Sequence, residues 1–287
     1  MKNITVVIVT YQTAEKIILD CLESIDKNIK VLIVENSELF KNKEKILSKF
    51  ENVKILCTGM NLGYGAGNNF GIKAAKTDYI LILNPDVICD KDLFSNTSAL
   101  IDKTENFSII GCQYLYDKVF MPAGFFNNKK NKEFKTNFKN DKIDELTKVD
   151  WVTGCSMLIN LKKFENKKIF DENFFLYFEE FDLCKTLLKR GENVYTSKKL
   201  KIHHLGFKSS IDETLNDKRN INFLREWHWM WSTFYFYKKN FNYFYALNKV
   251  LGKFIKSFFK IIFYSLIFNQ RERDKYKYRF LGIYNAI

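Results

Sequence analysis

The chain has 287 residues, 46% hydrophobic and 16% aromatic, with a formal net charge of +13. That is enough apolar chain for a full core plus an appendage, which excludes a disordered or fibrous protein, and the basic excess favours anionic partners. The opening run "MKNITVVIVTYQT" passes straight into polar sequence and does not read as a signal peptide, and the six scattered cysteines show no close metal-type pairs, as expected of reduced thiols in a cytosolic protein.

"ITVVIVTY" is a continuous β-branched run, the pattern of a strand buried on both faces. "TAEKIILDCLESI" follows with helical spacing, then "KVLIVENS" gives a second strand, "KNKEKILSKF" a weaker helix and "VKILCTG" a third strand. "GYGAGNNFGIKAAK" reads as a Gly-rich turn leading into a helix, and "DYILILNPDV" as a fourth strand. Repeated βα units of this length predict an α/β fold, an open sheet with helices on both faces. Ligands of such sheets bind beyond the carboxyl ends of the strands. The segments to search are therefore Thr10 and Tyr11, then 35–37, 59–69 and 84–86.

The stretch 127–148 is polar with few aliphatic residues, so it reads as a mobile or inserted loop. "VDWVTGCSMLI" resumes a strand-like pattern. "DLCKTLLKRG" is a short amphipathic helix stopped by Gly191, and beyond about residue 210 the chain turns helical and very aromatic. The expected division is a catalytic domain over 1–210 and a helical extension over 211–287.

Four stretches carry chemistry. "NPD" ends an apolar strand with one of only two prolines, and Asp86 there suits a divalent cation, although an ordinary strand-ending turn would look the same. "NLGYGAGNNFG" resembles a phosphate cradle without being the dinucleotide fingerprint, and its glycines equally suit plain turn geometry. "KIHHLGFKSS" holds two of the three histidines, one of which could complete a metal site begun by Asp86. In "YFEEFDLCKTLLKRG", three carboxylates follow a bulky aromatic run. Helix-dipole stabilisation accounts for one or two of them, but crowding all three beside apolar rings raises their cost.

Taken in order, "VVIVTYQT", "LIVENS", "NLGYGAGNNFGI", "LILNPDV", "VDWVTGCSMLI", "FLYFEEFDLCKTLLKRG" and "HLGFKSS" resemble the family 2 glycosyltransferases, closest to the bacterial rhamnosyltransferase-like branch. The resemblance implies a GT-A fold, an open Rossmann-like mixed sheet flanked by helices, and inverting transfer from a nucleoside diphosphate sugar. It places Thr10 and Tyr11 at the nucleotide, Glu35 at the base, and Asn61, Gly63 and Asn68 around the nucleoside and sugar. Asn84 stands at the first position of the acidic DxD pattern. Asp86 and His204 would hold magnesium or manganese by the diphosphate. Inverting transfer needs a base for the acceptor hydroxyl. Glu180 takes that role, with Glu179 and Asp182 positioning the acceptor or the helix start.

In the tail, Lys249, Lys253, Lys256 and Lys260 fall on one helical face, with Val250, Leu251, Phe254, Phe258, Ile261 and Ile262 covering much of the other. That pattern describes a helix lying on an anionic membrane, although a helix packed on the protein with solvated lysines has the same sequence. The preceding "REWHWMWSTFYFYKK" supports the tail or borders the acceptor site, and the sequence does not choose. The expected protein is thus peripheral on the cytoplasmic face of the membrane, extends a lipid-linked or oligosaccharide acceptor, and binds no nucleic acid. The alternatives are a nucleotidyltransferase and a non-catalytic sugar-nucleotide or membrane-binding protein.

Overall fold

The computed structural model describes residues 3–104, 106–116, 119–121, 123–126, 145–206 and 215–287. The buried apolar runs form a parallel block: β1 (Ile4–Thr10), β2 (Lys30–Glu35), β3 (Val53–Cys57) and β4 (Tyr79–Leu83), in the order β3-β2-β1-β4. Val6, Val7, Ile8, Ile33, Val34, Leu81 and Ile82 are all buried, which is why these strands do not alternate with polar residues. α1 (Glu15–Glu23) follows β1 and buries Ile18, Cys21 and Leu22, while α2 (Lys43–Lys49) follows β2 and buries Ile46.

α3 (Tyr64–Ala74) corrects the reading of the glycine-rich stretch as a turn. Only Gly63, at φ +83°, has turn geometry there, while Gly65, Gly67 and Gly71 are buried within the helix. A Cβ on Gly71 would stand 2.7 Å from Val7 and 2.8 Å from Val34; one on Gly67 would stand 3.0 Å from Val9 and Asn36. These two glycines let the helix lie close against β1 and β2.

Beyond β4 the sheet becomes mixed. β5 (Val87–Cys89) and α4 (Leu93–Lys103) precede β6 (Ile109–Tyr116) and β7 (Val119–Met121). β8 (Thr147–Lys148), β9 (Ser156–Asn160) and β10 (Val194–His204) complete the order β3-β2-β1-β4-β9-β6-β10-β5, with β7 paired to β6 and β8 to β10. β9 is antiparallel to β4 and β6, and β10 is antiparallel to β5. Of the segment expected to be a loop, residues 127–144 lie outside the described residues, and Thr147–Lys148 form β8.

The chain divides into two compact units, one of Met1–Asp171 and Leu183–Ile211, the other of Glu172–Asp182 and Asp212–Ile287. α5 (Glu179–Lys189) begins in the second and ends in the first. The second unit holds α6 (Leu215–Asn240), α7 (Tyr243–Leu266) and α8 (Gln270–Tyr284). Asn242 caps α7 by accepting from Tyr245 N at 2.8 Å, and Asn269 caps α8 by accepting from Glu272 N at 3.2 Å. Arg279 on α8 grips Glu226 on α6 through two hydrogen bonds, and a Cβ on Gly282 would meet the Trp227 carbonyl oxygen at 2.4 Å.

α7 corrects the expected two-sided helix. Val250 is buried and Phe254 stacks on Phe280 at 4.4 Å, so these two residues face the unit's own interior. Leu251, Ile255, Phe258, Phe259, Ile262 and Leu266 form an exposed arc, at whose edge Phe258 also lies 6.3 Å from the Phe280 ring. Two of the lysines lie beside rings: Lys249 is 5.1 Å from the Tyr245 ring and Lys260 is 5.2 Å from those of Phe263 and Tyr264. Among the described residues no helix is long and apolar enough to cross a membrane.

Candidate active site

In the first unit, the parallel strands end in polar groups that shape one another. Thr10 Oγ1 donates to Glu35 Oε2 at 2.5 Å, while Ser37 Oγ and Gln12 N donate to Oε1 at 2.5 and 3.3 Å. Thr10 and Glu35 are both fully buried. Glu35 thereby fixes the turn leaving β1, where Gln12 adopts φ +49°, an uncommon value for a side chain without special αL tolerance. Tyr11, next in that turn, is half-exposed and donates its N–H to Thr13 Oγ1 at 3.3 Å.

The approach to α3 is built the same way. Asn61 Oδ1 accepts from Gly63 N at 3.0 Å, and the Gly63 carbonyl accepts from Asn36 Nδ2 at 2.8 Å. Asn68 and Asn69, read alike from sequence, part company. Asn69 accepts from Ile169 N and Phe170 N at 3.0 Å and donates to Phe170 O at 2.9 Å, so its amide clamps a neighbouring segment. Asn68 donates to Tyr64 O at 3.0 Å, and its buried Oδ1 has no hydrogen-bond partner among the described residues. Buried polar atoms are rarely left so.

Asn84 and Asp86 follow β4. Asn84 N donates to Cys155 O at 2.9 Å, and the Asn84 carbonyl accepts from Val87 N at 3.2 Å, closing the turn. Asp86 is 1% exposed, and its Oδ1 lies 3.3 Å from His204 Nε2. The cause is register: His204 pairs with Val87 across β5 and β10, and Leu205 N donates to Asp86 O at 2.9 Å. His203 is exposed. The remainder of "HLGFKSS", 207–210, lies outside the described residues.

A hard carboxylate beside an imidazole fits a divalent cation as a partial ligand set. Among the described residues no group of three or more His, Cys, Asp or Glu converges, so a phosphate or water would have to supply the other ligands.

The acidic cluster belongs to the second unit. Glu179, Glu180 and Asp182 occupy the first turn of α5. Asp182 is buried and accepts from Lys239 Nζ at 2.6 Å and Asn240 Nδ2 at 2.8 Å, which ties the helix start to α6. Glu180 is half-buried, and burial pushes its carboxyl up to about 7. Burial, with the neighbouring Glu180 charge, pushes Glu179 well above the usual carboxylate range, and its buried Oε2 lacks a hydrogen-bond partner.

Immediately before them, Tyr177 and Phe178 both adopt φ +71°. Two consecutive bulky residues in the left-handed region cost of order 1–3 kcal/mol each. Tight packing holds them there: Tyr177 meets Trp229 edge-on at 5.1 Å, and Phe178 lies 5.4 Å from Trp229 and 5.3 Å from Phe236. Sequence reasoning missed this strain and the α6 residues that support it. The only signal was the aromatic density of the two stretches.

Residues 5–166 match the family described as Glycosyl transferase family 2. The chain belongs to this family. Rhamnosyltransferase WbbL of Escherichia coli (strain K12) is 26% identical over 232 residues, covering 75% of this chain and 83% of that protein. N-acetylglucosaminyl-diphospho-decaprenol L-rhamnosyltransferase of Mycobacterium tuberculosis is 23% identical over 243 residues, 72% of this chain and 78% of that one. Among solved structures, GalNAc-T7 with UDP, GalNAc and Mn2+ aligns at a TM-score of 0.56 and 12% identity over 82% of this chain. This chain covers only 50% of the length of GalNAc-T7, and the likeness concerns the fold. The protein is thus a GT-A glycosyltransferase of family 2, in its rhamnosyltransferase-like branch, with a helical C-terminal region.

Proposed function

We propose that this glycosyltransferase moves a hexose or deoxyhexose, rhamnose foremost, from a nucleoside diphosphate sugar to a hydroxyl of a lipid-linked or surface glycan, with inversion. The observation that carries the reading is Glu180, whose carboxyl is pushed by burial up to about 7 just after two strained aromatic residues. A base of that strength can accept the acceptor hydroxyl's proton near neutral pH, and a single displacement inverts the anomeric centre.

Thr10, Tyr11, Glu35, Asn61, Gly63, Asn68 and Asn84 are proposed to form the donor side, Asn68 offering its unpartnered Oδ1. Asp86 and His204 would hold magnesium or manganese, which when bound offsets charge on the departing diphosphate. The exposed arc of α7 and its lysines favour a peripheral place on the cytoplasmic membrane face. The relatives named rhamnosyltransferases support the choice of rhamnose, and the mycobacterial relative's name supports a diphospholipid acceptor.

The test offers dTDP-rhamnose and UDP-sugars, with and without manganese, and N-acetylglucosaminyl diphosphate on a short alkyl chain. Nucleoside diphosphate should be released, the new linkage should be opposite in configuration to the donor, and Asp86→Ala should lose the manganese effect. Pyrophosphate release, or nucleotide binding without turnover on any donor, overturns the proposal.

A further inference from the structure

α6 carries Trp227, Trp231 and Tyr235 at steps of four, on one helical face. The rings stand nearly parallel, 12° between the two indoles at 6.3 Å and 26° between Trp231 and Tyr235 at 5.0 Å. All three are half-buried, whereas Met230, Phe234 and Phe236 of the same helix are buried. The row is therefore distinct from the face that packs the core.

The strained segment ahead of α5 is fastened along this helix. Asn173 Nδ2 donates to the Tyr235 hydroxyl at 3.1 Å, Phe174 meets the Tyr235 ring at 4.8 Å, and Ser232 Oγ donates to Leu176 O at 2.8 Å. Phe175 lies flat on His228 at 4.4 Å. Among the described residues of this unit, two buried polar atoms have no hydrogen-bond partner: His228 Nδ1, on the same helix, and Glu179 Oε2, at the start of α5. Leaving such atoms unpaired is costly, and the cost is recovered when a ligand pairs with them.

A row of half-exposed rings with the unpaired His228 Nδ1 beside it, His228 lying 4.7 Å from the Trp227 ring, matches a saccharide, which has an apolar C–H face rimmed by hydroxyls. A purely apolar partner would cover the rings and leave that nitrogen unpaired. We propose that Trp227, Trp231 and Tyr235, with His228, form the subsite that seats the acceptor's sugar ring. This rests on the reading of Glu180, in the same unit, as the acceptor's base. Burial lowers His228 to about 4, so its imidazole is neutral and can hydrogen-bond a hydroxyl without carrying charge.

The test titrates the full chain with methyl glycosides of N-acetylglucosamine, rhamnose and galactose at millimolar concentration, read by saturation-transfer NMR. At least one glycoside should bind through one ring face. Trp231→Ala should weaken it about tenfold, the size of one aromatic contact, while the melting temperature and nucleotide binding stay unchanged. Trp231→Phe should restore most of the affinity, and Trp227→Ala serves if Trp231→Ala melts early. Binding by no glycoside, or undiminished binding in the alanine variants, overturns the subsite. Nucleoside diphosphate release is scored separately. Ring-dependent binding without release removes the transfer reaction alone, and release with ring-independent binding removes the subsite alone.

Discussion

Glu180 and Asp182 lie two positions apart on one helix, yet their surroundings prepare them for different work. Asp182 is enclosed by Lys239 and Asn240 as a structural anchor, whereas Glu180 is desolvated and holds its proton up to about 7. Glu180→Gln should therefore keep donor affinity and lower turnover by about two to four powers of ten, as loss of a positioned base does. Wild-type kcat should fall as pH drops through about 7, and the glutamine variant should lack that limb. Stability should move the opposite way. Because the folded-state value is raised, the unfolded chain releases this proton first, and stability present below about 4.5 is lost as pH rises to about 7. At pH 8 the glutamine variant should thus be the more stable, by of order 1–3 kcal/mol in urea melts. Near-normal turnover with only the stability gain would leave Glu180 a desolvated helix residue and nothing more.

At the scale of elements, what was legible in the sequence was whatever local pattern dictates. Strands β1, β2 and β4 announce themselves as unbroken apolar runs because helices cover both faces of the parallel block. The antiparallel strands were harder to read, since β5 and β9 find their places through partners far along the chain. For the same reason Asp86 and His204 could be nominated from sequence, but only the β5–β10 register sets them 3.3 Å apart. The glycines of α3 misled, because glycine marks close packing as readily as a turn. Gly71→Ala tests that packing: its Cβ would press on Val7 and Val34, which rise from two strands and have no free end to swing away. We expect a loss of about 1–3 kcal/mol in chemical denaturation, the usual cost of overpacking. A neutral or stabilising alanine, as an exposed helix position would give, would show that α3 can lift off the sheet at no cost.

For the whole molecule, the charge of +13 matters less than where the apolar surface lies. Sequence periodicity credited α7 with one apolar face. The structure divides it between Val250 and Phe254, used internally, and an exposed arc from Leu251 to Leu266 that continues to Phe268, 89% exposed. An apolar arc of that extent is what the proposed peripheral membrane placement would use, and the lysines of the same helix would make an anionic surface the preferred one. The full chain should therefore float with vesicles containing anionic phosphatidylglycerol and bind neutral phosphatidylcholine vesicles far less. Raising the salt should weaken the anionic binding, since each lysine near the surface contributes about 1 kcal/mol that salt screens. The double variant Phe258→Ser, Phe259→Ser removes rings that are 48% and 63% exposed, so its melting temperature should hold. Its vesicle affinity should drop by at least about tenfold, because two buried rings would contribute several kcal/mol in the interface. If instead the variant floats as well as the wild type, the lysines alone hold the membrane. If the wild-type chain floats with neither vesicle and the double variant changes its oligomeric state, the arc is an interface between protein copies.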